Sequence, residues 1–138
     1  MKNKINIILV IIWMFIIFMM SSYDGNESSN QSGMIVNFIA NLLNIDNINV
    51  LSLIIRKMAH FTESLILGLL VVNMINNYNN KSILISIIIC IIYATSDEIH
   101  QLFVPGRSCQ LLDILIDTIG SVIGIYLYKK ILIRDTRK

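Results

Sequence analysis

Four long apolar runs, at about 5–21, 58–76, 83–104 and 111–133, constrain this chain more than any other feature in it. Each is close to the ~20 residues a helix needs to cross a hydrocarbon layer about 30 Å thick. Inside such a layer every backbone amide must find its partner within its own segment, so runs of this kind fold as helices and lie side by side. The expected fold is an all-α integral membrane bundle of four transmembrane helices, a single domain over 1–138. A hydrophobic content of 55% in 138 residues agrees, being too apolar for an ordinary soluble domain and too short for two sizeable ones.

The first run follows Met1 to Lys4, which carries two lysines and no acid, and continues unbroken from Ile5 to Met20. It is longer than a secretory signal core, and Met20, Ser21 and Ser22 make a poor small-x-small cleavage site, so an uncleaved first span is expected. SSYDGNESSNQSG then reads as a loop. From Met34 to Ile45 the residues Met34, Ile35, Phe38, Ile39, Leu42 and Leu43 keep helical spacing, while Asn37, Asn41 and Asn44 recur on another face. About a dozen residues cannot span. The expectation is a short helix of the first outer loop, either lying in the interface or packed on the bundle with its asparagines wet.

Arg56 and Lys57 precede the second run, and the apolar lead-in Ile48 to Ile55 leaves the outer end of that helix open by a turn or two. Pro105 and Gly106 are expected to close the third run, since proline cannot continue a helix and glycine suits a turn. With the amino terminus inside, Lys2, Lys4, Lys81, Lys129, Lys130, Arg134, Arg137 and Lys138 all fall on one side, leaving Arg56, Lys57 and Arg107 opposite. The positive-inside rule then places both termini in the cytoplasm of a multi-pass cell-membrane protein. A formal net charge of +2, with the basic residues mostly at the chain ends, carries no nucleic-acid footprint. Cys90 and Cys109 are too few for a disulfide framework and read as small apolar residues.

Within this background the stretch Tyr93 to Gly120, YATSDEIHQLFVPGRSCQLLDILIDTIG, concentrates Asp97, Glu98, His100, Gln101, Arg107, Asp113 and Asp117. Ionisable groups at helical depth are costly and call for a partner or a task. At about 1.5 Å per residue, His60 and Glu63 lie roughly 6 and 10 Å below Arg56, Asp97 to His100 about 6 to 10 Å below Val104, and Asp113 and Asp117 about 6 and 12 Å below Cys109. Three helices thus place their polar groups at one depth, which predicts a shared polar chamber opening outward. Arg56, His60 and Glu63 form one stripe. Tyr93, Asp97, His100 and Gln101 form a second, with Glu98 on its flank. Asp113, Asp117, Gly120, Ser121 and Gly124 form the third, and its Gly120/Gly124 pair is a G-x-x-x-G spacing that lets a neighbouring helix come close.

Such a cluster suits several chemistries. His60, His100 and the carboxylates are ligand types for a divalent metal such as zinc, manganese or magnesium. Asp97, Glu98, His100, Glu63 and His60 are equally candidates for general acid and base work, with Arg56, Lys57, Gln101, Arg107, Asp113 and Asp117 as substrate-binding groups and the two arginines suited to gripping a phosphate or carboxylate. A proton relay is disfavoured because the inner halves of the spans are almost purely apolar. The bland alternative is helix clamping by Arg56 or Arg107 against Glu63, Asp97 or Asp113, with Lys57 reaching head groups, Glu98 turned to the interface, and both histidines merely packed. A clamp needs one or two pairs rather than ten polar groups, and a charged group at mid-helix costs on the order of 2 to 3 kcal/mol.

RKMAHFTES followed by LG, then SDEIHQLFVPGR and DILIDTIG, with SSYDGNESSNQS ahead of them, resembles the VanZ-like family of bacterial membrane proteins. That family is associated with low-level teicoplanin resistance. The resemblance covers most of the chain in the right order and implies functional weight at Lys57, His60, Glu63, Asp97, Glu98, His100, Gln101, Pro105, Gly106, Arg107, Asp113, Asp117 and Gly120. Ser64, where the family usually has an aromatic, and Cys109 depart from the pattern without being expected to touch the ionisable cluster. Three functions follow as expectations. One is a protein that reduces lipoglycopeptide access or binding at the cell surface, through a lipid-linked cell-wall precursor or the drug's lipid tail. The others are a membrane enzyme acting on a lipid-linked, phosphate-bearing envelope substrate, and a structural subunit whose polar cluster holds helices.

Overall fold

A computed structural model describes residues 2–23, 33–34, 36–42, 44 and 47–135. Four long helices carry the fold: α1 (Lys2–Ser22), α2 (Ile48–Ile75), α3 (Asn80–Gln101) and α4 (Leu111–Asp135). All four are long and apolar enough to cross a membrane, and the chain is a multi-pass membrane protein. α1 buries only a stripe, Val10 and Ile17 with Ser21, and keeps large apolar side chains exposed over the rest of its surface, Ile8, Ile11 and Phe15 among them. That would be anomalous in water, and in lipid it is the expected outer surface of a bundle.

Cross-helix contacts fix which ends lie together. Near one end, Asn6 of α1 donates to the Asn73 carbonyl of α2 at 3.2 Å, and Tyr128 of α4 donates to Asn73 Oδ1 at 2.6 Å. At the other end, Ser21 and Ser22 of α1 meet Asp97 and His100 of α3, and Lys57 of α2 meets Asp113 of α4. The helices therefore run up and down in alternation. Lys4, Lys81, Lys129 and Lys130 belong to the first end, and Arg56, Lys57 and Arg107 to the second. α1 is tied in along its length as well, because Trp13 Nε1 donates to the Glu63 carbonyl at 3.0 Å and the Tyr93 hydroxyl donates to the Met14 carbonyl at 2.5 Å.

Two helix boundaries differ from the expected ones. α2 begins at Ile48 rather than near Met58, because Asn47 caps it by accepting from the Val50 amide at 3.3 Å. Its 28 residues reach about 42 Å at 1.5 Å each, more than the hydrocarbon layer needs. α3 runs from Asn80, capped by Asn79 at 2.8 Å to Ser82, and stops at Gln101. Leu102, Phe103 and Val104 continue in a tight turn bonded to the carbonyls of Ile99, His100 and Gln101. Pro105 and Gly106 complete the reversal, and Gly106 takes φ 73°, a conformation glycine adopts without strain. Asp97, Glu98 and His100 consequently lie about 1.5 to 6 Å from the helix end, shallower than expected.

In the first outer loop, residues 36–42 are helical. Val36 and Ala40 pack on Leu51 and Ile55 of the α2 extension, whereas Met34, Phe38 and Leu42 stay exposed. The segment thus sits on the bundle with Asn37 and Asn41 exposed. Residues 24–32 of the expected loop, Ile35 and Leu43 of the expected apolar face, Ile45 at the end of that segment, and 136–138 of the tail lie outside the described residues.

Candidate functional site

The sequence that makes α2 and α4 adhere is also what aligns their polar stripes. A Cβ on Gly124 would sit 2.1 Å from the Leu65 carbonyl oxygen, one on Gly120 2.5 Å from that of Phe61, and one on Gly68 2.2 Å from that of Ser121. Backbones this close leave no room for a side chain, so the glycine pair works as its spacing predicts. Gly68 is the reciprocal contact from α2. Outward of this seam the separation is filled by polar groups instead.

Six of the expected site residues come together and are buried: His60, Asp97, Glu98, Gln101, Asp113 and Asp117 are each no more than 8% exposed. Asp113 accepts from Lys57 Nζ in an ion pair, and Lys57 also donates to Gln110 Oε1 at 2.9 Å. Lys57 is therefore turned into the cluster rather than towards head groups. Asp117 Oδ2 lies 3.6 Å from His60 Nδ1, while its Oδ1 accepts from Ser64 Oγ at 2.9 Å. Ser64, expected to stand clear of the cluster, is part of it. Glu98 is 1% exposed and faces the bundle rather than the interface, accepting from the Gln110 amide at 2.9 Å and from Gln101 Nε2 at 3.2 Å. Gln101 also donates to Asp97 Oδ2 at 3.2 Å, and Asp97 Oδ1 accepts from Ser21 at 2.7 Å.

The chamber expected from the sequence is thus a packed cluster, with Arg56, Lys57, Glu63 and Arg107 half-buried around it. Arg56 reaches Gln101 Oε1 at 3.4 Å, and its Nε is buried without a partner among the described residues. Arg107 is engaged elsewhere: its Nε donates to the Tyr23 carbonyl at 3.0 Å and its Nη2 to that of Met20 at 3.3 Å, closing the last turn of α1. Burial, and then the neighbouring Arg56, hold its pKa below the usual arginine value, while Asp97, Glu63 and Glu98 pull the other way. His100 is the expected candidate left outside the cluster. Its ring lies against Phe18 with centroids 4.4 Å apart, and Nε2 is 3.1 Å from Ser22 Oγ, which places it against α1.

Chemically, His60, Glu98 and Asp117 bring one imidazole and two carboxylates from three helices within 4.8 Å of one another. That set can exchange protons or hold a cation. Four participants were not singled out as site residues from the sequence: Ser21, Ser64, Gly68 and Gln110. Ser64 was accessible in principle, standing four residues after His60 on the same stripe. Ser21 and Gln110 reach the cluster from a helix end and a loop, where no spacing rule applies.

The family model for VanZ/LLP1 matches residues 6–134, nearly the whole chain, and that span takes in the cluster and all but the outermost residues of the four helices. The chain belongs to the VanZ/LLP1 family. Searches of the curated proteins and of the solved structures returned no match. In this VanZ/LLP1 protein the motifs RKMAHFTES, SDEIHQLFVPGR and DILIDTIG meet at one end of the bundle, each from its own helix.

Proposed function

We propose that this VanZ/LLP1 protein acts at the outer face of the bacterial cell membrane, where its polar cluster engages a cell-envelope component and lowers susceptibility to teicoplanin-type lipoglycopeptides by reducing their access or binding. The observation that carries this reading is the burial of five charged or chargeable residues, His60, Asp97, Glu98, Asp113 and Asp117, at the end of the bundle opposite Lys4, Lys81, Lys129 and Lys130. Lysine-rich ends face the cytoplasm, so the cluster faces outward and both termini lie inside. Teicoplanin-type drugs bind their wall-precursor target on that outer side and anchor there by a lipid tail. The exposed Met34, Phe38 and Leu42 offer apolar surface at the same end for a lipid-linked cell-wall precursor or for the drug's own tail.

Two measurements test it. Cells expressing the chain should show reduced teicoplanin susceptibility relative to cells carrying the empty vector, and equal susceptibility would refute the reading. A membrane-impermeant maleimide on intact cells should label Cys109, in the loop between α3 and α4, and not the buried Cys90; labelling only after lysis would invert the orientation.

A membrane enzyme acting on a lipid-linked, phosphate-bearing substrate is the second reading. It is favoured by the convergence of His60, Glu98 and Asp117, with the cations Arg56 and Lys57 beside them to grip a phosphate. Conversion of a lipid-linked phosphate by purified protein, lost in Asp97→Asn at unchanged abundance, would favour the enzyme over a binding or shielding protein.

A further inference from the structure

His60, Glu98 and Asp117 are donated by α2, α3 and α4, all are buried, and one ligand atom of each lies within 4.8 Å of the others. We propose that they form a binding site for one divalent transition-metal ion, Zn²⁺ or Mn²⁺. A tetrahedral ion with bonds of about 2.0–2.1 Å holds its ligand atoms about 3.4 Å apart. His60 Nδ1 and Asp117 Oδ2, at 3.6 Å, already span one such edge. Bringing one ligand atom of each of the three residues to that spacing requires a closure of at most about 1.4 Å, within the reach of their side chains.

The surroundings are those of a ligand set held from behind. Ser64 Oγ donates to the oxygen of Asp117 that is turned away from His60, at 2.9 Å. Glu98 is fixed by the Gln110 amide at 2.9 Å and by Gln101 Nε2 at 3.2 Å. Hydrogen bonds to ligating carboxylates orient them in this way in metal sites generally. An independent observation also leaves room for a cation beyond Lys57. Asp113, one helical turn before Asp117 on the same face, is fully buried, and its Oδ2 has no hydrogen-bond partner among the described residues. A buried carboxylate oxygen left alone is costly.

The charge balance is compatible with the same conclusion. Glu63, Asp97, Glu98, Asp113 and Asp117 share this end of the bundle with three permanent cations, Arg56, Lys57 and Arg107. With all five carboxyl groups ionised and His60 neutral, the shortfall is two positive charges, that of one divalent ion. Protonation of two carboxyl groups closes the same gap, and a metal titration separates the two. The donor set selects the ion: an imidazole with carboxylates suits zinc or manganese, whereas calcium and magnesium favour oxygen alone and soft ions favour thiolates.

Metal binding rests on the same cluster being a working site, yet it is read on purified protein, so its failure is distinct from failure of the susceptibility assay. Full-length protein in detergent, stripped with a chelator, is titrated calorimetrically with Zn²⁺, Mn²⁺ and Mg²⁺. About one equivalent of Zn²⁺ or Mn²⁺ should bind, and Mg²⁺ should not bind at the same concentration. Glu98→Gln and Asp117→Asn should each weaken binding at least tenfold, and Ser64→Ala about tenfold. Cys109→Ser should leave binding unchanged. If the variants do not fold, Co²⁺ added to the wild type decides the matter, with visible ligand-field bands that Zn²⁺ abolishes. Absence of stoichiometric binding, absence of those bands, or binding indifferent to both carboxylate changes overturns the proposal.

Discussion

From Lys57 to Ser64 the contact between α2 and α4 runs through side chains, as an ion pair to Asp113, a histidine facing Asp117 and a serine hydroxyl on the same carboxylate. Along Phe61, Leu65 and Gly68 the opposite edge of the same contact runs through backbone, where glycines on both helices lie against carbonyls, and further inward Val72 and Ile125 are fully buried. The inner half needs no polar group to hold these helices together. Its chemistry is proximity, obtained by removing side chains. The outer half therefore carries far more ionisable groups than adhesion asks for, at a cost that grows with each buried charge.

The largest effect should come from breaking the outer half. Lys57→Met removes the cation from the fully buried Asp113 and should cost about 3–5 kcal/mol of stability, read as a fall in thermal midpoint and in membrane abundance. Adding Asp113→Leu should restore most of it, because a well-packed apolar pair replaces a buried ion pair at little cost. If the double variant is as unstable as the single one, the pair is not what Lys57 supplies. Breaking the inner half should cost somewhat less. Gly124→Ala forces a Cβ against the Leu65 carbonyl and should lose about 3 kcal/mol, while Gly33→Ala, with nothing within 4 Å, should change nothing measurable. Equal melting of the two alanine variants would undo the close-approach account. Ser64→Ala, which leaves Asp117 Oδ1 without its donor, should cost about 1.5–2 kcal/mol in the same assay, and a loss under 0.5 kcal/mol would show that hydrogen bond to be incidental.

The two halves were also unequally legible in the sequence. Apolar runs long enough to span, the Gly120/Gly124 spacing and the shared depth of the charges follow from length and periodicity alone. Boundaries followed less well. Arg56 and Lys57 look like the polar end of a span, but Arg56 bonds Gln101 and Lys57 bonds Asp113, so α2 continues past them to its Asn47 cap. Leu102, Phe103 and Val104 keep the apolar pattern of α3 although the chain has already turned, since hydropathy does not register backbone direction. Asp97 lies between two faces of its helix, and spacing alone cannot say which one meets α4. The structure turns Glu98 towards Gln110 and the α4 groups and His100 towards Phe18 of α1. That choice depends on where α1 packs, which no local pattern encodes.

The claim that the outer cluster is a working site rather than glue is tested most directly by Glu98→Gln. The change is nearly isosteric, keeps an oxygen to accept from the Gln110 amide, and removes one buried carboxylate. Teicoplanin susceptibility is measured for cells expressing wild type and variant, with membrane abundance and thermal midpoint determined on the same preparations. The account predicts susceptibility returning to that of cells without the chain while abundance and midpoint hold. Resistance that merely follows abundance would contradict it and leave the cluster as a clamp.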